Sequence, residues 1–103
     1  MSVRKLQEPA EILKTIGHPV RLKLLELLMQ DEYSVGELAE AARQAPDIVS
    51  QQLKHMHLNK ILERQRKGRR VYYRITDELT KQVMRQIQQQ NRYDVTFQGG
   101  EAI

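Results

Sequence analysis

Residues 45–57 read APDIVSQQLKHMH. Val49, Leu53 and Met56 recur at helical spacing, so one face of this stretch is apolar. The opposite face carries Asp47, Ser50, Gln51 and Lys54, all short or forked hydrogen-bonding groups. Pro46 stands where the first turn of a helix tolerates the missing N–H, and Asp47 suits the positive end of the helix dipole. The spacing predicts a helix over 46–58, with Asn59 as its left-handed terminating residue.

Upstream, Ser34-Val35-Gly36-Glu37 fits a capping box, in which the Ser hydroxyl accepts from the N3 amide and Glu37 reaches back. The helix it starts would bury Val35, Leu38, Ala39 and Ala42. Only a short turn separates it from the helix at 46–58. Before it, residues 20–29 are apolar nearly all round through Val20, Leu22, Leu24, Leu25, Leu27, Leu28 and Met29, which marks the most buried helix. Pro19 opens that helix and Asp31-Glu32 closes it. Residues 9–16, PAEILKTI, read as a first short helix with Ile12, Leu13 and Ile16 on one side.

Downstream the apolar period changes from 3.6 to 2. Residues 61–66 and 71–76 read as two strands around Lys67-Gly68-Arg69-Arg70, a hairpin by composition. Val71, Tyr73 and Ile75 share one face of the second strand, and Tyr72 and Arg74 the other. Asp77 then starts a last helix in which Leu79, Val83 and Ile87 fall at i, i+4 and i+8. Helix, turn, helix and basic hairpin in this order describe a winged helix-turn-helix, mainly α with a small β-hairpin. Residues 1–90 form its single domain. Residues 91–103, rich in polar groups and Gly, read as a flexible tail.

Composition supports this and narrows the partners. The 103 residues contain 40% hydrophobic and 29% charged side chains, with one Phe and no Trp, so Leu, Ile and Val must build the core. So small a core favours a homodimer that hides further apolar surface. No apolar run is long enough to span a membrane, and the N-terminus lacks the apolar stretch of a secretory signal. The absence of cysteine removes disulfides, thiolate metal sites and thiol switches, and the cytoplasm is the expected compartment. The net charge of +4 is unevenly spread. Between Lys54 and Arg74 lie eight basic residues against one acid, Glu63, a local net of +7. Such segregation points to a polyanion.

In a helix-turn-helix the second helix enters the DNA major groove. Gln51 there would present its amide to an adenine edge, Ser50 would reach several edges, and Lys54 a guanine or a phosphate. Asp47 either accepts from cytosine or only caps the helix. Lys67, Arg69 and Arg70 would reach flanking phosphates or the minor groove, with Gly68 making the turn. Tyr73 is expected to pack inward and Tyr72 outward, which places base stacking second to packing.

Four stretches, LKTIGHPVRLKLLELL, YSVGELAEA, IVSQQLKHM and KGRRVYYRI, together resemble the ArsR/SmtB family of bacterial transcription repressors over residues 10–78. The resemblance implies a homodimer joined through the first and last helices, hence through Ile12, Leu79, Val83 and Ile87, and binding to an imperfect inverted repeat of double-stranded DNA. Matched by position, the family's reading motif falls on Pro46, Asp47, Ser50, Gln51 and Lys54, with Gln52 where relatives often carry His. Ala45-Pro46-Asp47 departs from the more usual Ser-Gln-Ser, so the target sequence does not transfer.

Many metal-sensing relatives carry Cys-x-Cys near 33–36 or a His-containing set on the last helix. This chain has neither, since its last helix offers Asp77 and Glu78 but no His. His18 fits a helix start. His55 and His57 diverge by about 200° on one helix and cannot share an ion. We therefore assign no metal and no cofactor, and expect either an unidentified small-molecule effector or none. No nucleophile elbow, phosphate-cradling Gly loop or Ser–His–acid motif suggests an enzyme. The alternative is a winged helix used as a protein-interaction adaptor, which would have no need of the +7 window.

Overall fold

The computed structural model describes residues 1–90, so the expected tail at 91–103 lies outside the described residues. A 3-10 turn, Arg4–Leu6, leads into α1, Gln7–Ile16, which starts earlier than the apolar pattern suggests. α2 spans Pro19–Gln30 with Pro19 in its first turn and His18 in extended geometry before it. Leu24 and Leu25 are fully buried, and Leu27 and Leu28 nearly so. The side assigned to α1 needs one correction. Ile16 is buried and Ile12 half-buried, but Leu13 is 47% exposed and points away from this protomer's core.

α3 spans Val35–Ala42 and α4 spans Pro46–Leu58. The capping box is complete, with the Ser34 amide 2.8 Å from Glu37 Oε1 and the Glu37 amide 3.2 Å from the Ser34 hydroxyl. Both helices end in the same device. Arg43 (φ 56°) and Lys60 (φ 64°) take left-handed backbone, and the amides of Gln44 and Ile61 fold back to the carbonyls of Ala39 and Met56. The left-handed residue is therefore Lys60 rather than Asn59. Asn59 keeps φ −94° and spends its side-chain amide on the His55 carbonyl, 2.8 Å away.

The wing consists of β2, Leu62–Lys67, and β3, Arg70–Ile75, each one residue from its expected bounds. Lys67 pairs with Arg70, so the turn is the two residues Gly68-Arg69, and only Gly68 has positive φ (+64°). A two-residue hairpin with glycine first matches the right-handed twist of the strands. A two-residue strand absent from the expected hairpin, β1 at Tyr33–Ser34, adds to β3 and gives the sheet order β1-β3-β2. The wing is thus tied to the start of α3.

α5 spans Glu78–Gln89, capped by Asp77, whose carboxylate accepts from the Thr80 amide at 2.8 Å and the Thr80 hydroxyl at 2.7 Å. Its buried side is Thr80 and Met84. Leu79, Val83 and Ile87 form the neighbouring stripe and remain partly exposed. Leu24, Leu25, Leu38, Val49, Leu53, Met56 and Ile61 meet at the centre with no exposed surface. On β3, Tyr73 and Ile75 face this core, as alternation requires, and Arg74 is exposed.

Candidate nucleic-acid interface

Burial of Val49, Leu53 and Met56 settles which side of α4 faces out. Pro46, Asp47, Ser50, Gln51 and Lys54 are all exposed on that side. The Asp47 carboxylate accepts from the Ile48 amide at 3.0 Å, so it has a local use at the helix start. Gln52 differs from the rest. It is half-buried, and its carbonyl oxygen accepts from Arg21 Nε. The same guanidinium donates to the Thr15 carbonyl at 2.8 Å. Gln52 thus fastens α4 to α2 and to the end of α1 instead of facing outward with its neighbours.

The three wing cations differ as well. Lys67 Nζ lies 2.7 Å from Glu32 and 5.2 Å from the centre of the Tyr72 ring. Arg70 lies 3.7 Å from Glu37. Arg69, at the turn, makes no ion pair among the described residues. Glu37 has its pKa lowered, first by the hydrogen bond from the Ser34 amide, then by the Ser34 hydroxyl and the nearby Arg70. It therefore stays ionised in neutral solution and keeps Arg70 beside α3.

Between the start of α3, Ser50 of α4 and the wing tip runs a groove of about 580 Å³ lined by Arg69 and Arg70. The fold so brings Ser50 and two wing arginines to one groove, from positions about twenty apart in sequence. Arg64 and Arg66, on the wing's edge strand β2, are two further cations that the expected contacts did not include. Register places them opposite Tyr73 and Val71, exposed and without an ion pair among the described residues. Their signal was present in the +7 window. Ile48, 39% exposed on α4, also lies outside the apolar face of Val49, Leu53 and Met56.

The histidines are spent on structure or stand apart. His57 Nδ1 lies 3.1 Å from the Leu62 carbonyl, and its ring packs edge-on against Tyr73. His18 is half-buried before α2. Among the described residues, no three of His, Asp and Glu converge on a point where an ion could be held. No helix among them is long and apolar enough to cross a membrane.

A family model described as bacterial regulatory protein, arsR family, matches residues 18–63, from the start of α2 into the wing. The biofilm growth-associated repressor of Xylella fastidiosa is 36% identical over 81 residues, covering 79% of this chain and 71% of that protein. The chain belongs to the ArsR family. A second relative, the transcriptional repressor PagR of Bacillus anthracis, is 37% identical over 73 residues, covering 70% of this chain and 73% of its own. The PagR crystal structure superposes with a TM-score of 0.75 at 30% identity, over 84% of this chain and 99% of that one. The solution structure of a homodimeric winged helix-turn-helix DNA-binding domain from Mycobacterium bovis superposes with a TM-score of 0.75 at 27% identity, over 100% and 96% of the two chains. The expected winged helix-turn-helix is thus the architecture this ArsR-family chain adopts, with one added strand.

Proposed function

We propose that this ArsR-family chain is a transcriptional repressor that binds an inverted-repeat operator as a homodimer. The observation that carries the reading is the outward face of α4, where Ser50, Gln51 and Lys54 stand exposed beside a groove closed by Arg69 and Arg70. α4 enters the major groove, where Gln51 reads an adenine edge and Ser50 and Lys54 contact neighbouring edges or phosphate. Pro46 and Asp47 start the helix against the backbone. The wing supplies affinity through phosphate contacts, with Arg69 leading and Arg64 and Arg66 behind it. Lys67 and Arg70 reach phosphate by releasing Glu32 and Glu37. Gln52 supports α4 from behind.

Residues 1–90 hold both DNA binding and dimerisation. The partly exposed stripe of Leu79, Val83 and Ile87, with Ile12 and the exposed Leu13 on α1, is the face a second copy covers. Release from DNA does not use thiolates, since the chain has no cysteine; its effector, where one acts, is a small organic molecule. The place of action is the bacterial cytoplasm, where operator DNA lies.

Fluorescence anisotropy against the chain's own upstream DNA and a scrambled duplex, across a salt series, tests this. Tight, site-dependent binding that weakens steeply with salt is expected. Gln51→Ala should lose about 1–3 kcal/mol of discrimination between the duplexes. Arg69→Ala should weaken both alike and reduce the salt slope by about one. Absence of binding even at low salt would overturn the reading in favour of a protein-interaction adaptor.

A further inference from the structure

We infer that Ile48 is a specificity-determining residue that reads the 5-methyl group of a thymine, beside the base pair read by Gln51. The inference rests on the operator-binding function proposed above. Ile48 follows Asp47 in the first turn of α4 and is 39% exposed, whereas Val49 beside it is fully buried. It therefore sits on the outer flank of the helix, three residues before Gln51, and residues so spaced are neighbours on a helix surface.

A single exposed aliphatic residue is ordinary on most surfaces. Its position sets this one apart. The N-terminal residues of a recognition helix are those that meet base edges. In the first turn of α4, Pro46, Asp47 and Ile48 are exposed and Val49 packs inward. The side chain is also prepared for contact. Its own amide is held by Asp47, and β-branching restricts it to essentially one rotamer in a helix. It loses little side-chain freedom when it docks.

The chemistry then selects the base. In the major groove every base edge offers a donor, an acceptor or both, and only thymine adds an apolar group, its methyl. Set against a cytosine amino group or a phosphate, Ile48 would cover a polar atom and leave it without a partner, which is costly. Set against the thymine methyl, it buries apolar surface on both sides. Ile48 and Gln51 together would thus read a thymine next to an adenine.

Selection of binding sites from a randomised duplex pool with the full wild-type chain comes first. Each thymine of the selected half-site is then replaced singly by deoxyuridine, which lacks only the methyl. One such thymine per half-site is expected to weaken binding about fourfold, the worth of one buried methyl-sized group. Ile48→Ala should bind the thymine duplex more weakly yet be indifferent to deoxyuridine at that position, and Ile48→Val should keep the sensitivity. Wild-type binding that ignores every deoxyuridine would overturn the inference without any variant. A penalty that persists in Ile48→Ala would do the same, because another side chain then reads the methyl. A pool that yields no preferred sequence would instead sink base reading itself, and this inference with it.

Discussion

Ser34 serves three roles at once. It is a residue of β1, it caps α3, and it is buried between the wing and the helix pair. Its amide, donating to the Glu37 carboxylate, is the first cause that holds that carboxyl below the ordinary glutamate value near 4.5, with the Ser34 hydroxyl and Arg70 adding to it. A carboxyl whose pKa is lower in the folded chain contributes stability above its unfolded value and loses it as pH falls through the folded one. The urea midpoint of Glu37→Gln should accordingly lie below that of the wild type at neutral pH. The two should converge as pH drops through the glutamate range, and a gap unchanged at about pH 3 would refute the linkage. Legibility at this scale was uneven. The capping box was visible because both partners sit at a set spacing. Lys60 was not, because residue type favours Asn59 for left-handed backbone, while the chain keeps negative φ through Asn59 before it turns. Gln52 looked like its exposed neighbours because sequence cannot show that Arg21 lies behind it.

Among the elements, the Arg21 guanidinium joins three: the end of α1 through the Thr15 carbonyl, its own α2, and α4 through Gln52. Arg21→Met keeps much of the aliphatic stem and removes both bonds. The loss should be about 1.5–3 kcal/mol, the usual worth of hydrogen bonds to a charged group, read as a lower urea midpoint at unchanged slope. The variant should also bind operator DNA more weakly, since α4 loses its rear support. Normal affinity at reduced stability would confine Arg21 to a stabilising role. Most helices were legible to within two residues of their ends, because proline, a capping box or an acidic cap marks each start. β1 was not. Two residues show no period, and this strand exists only because β3 offers it an edge.

For the molecule as a whole, Leu79, Val83 and Ile87 form an apolar stripe on α5 that one copy covers only in part, and this is the face proposed for a second copy. Ile87→Glu should place a charge in the shared face and shift sedimentation toward monomer, while helix content holds. An undisturbed dimer would put the contact on other residues. The winged architecture was legible because its parts follow one another in sequence. The groove that gathers Ser50 with Arg69 and Arg70 was not, because it depends on how the sheet folds back over α3.

On the proposed reading the wing would not reach DNA empty-handed, because Lys67 and Arg70 already hold Glu32 and Glu37. Exposed pairs of this kind are weak, yet a dimer would carry four of them. A phosphate arriving at either of these two cations would have to evict a resident carboxylate, whereas Arg69, unpaired among the described residues, would meet one freely. A random stretch of chromosome, gripped through its backbone alone, would gain less from those two cations and be let go sooner. At the operator, base contacts from α4 would outlast the swap. On the proposed reading these acids would act as a brake on loitering and help a small population of molecules scan a genome.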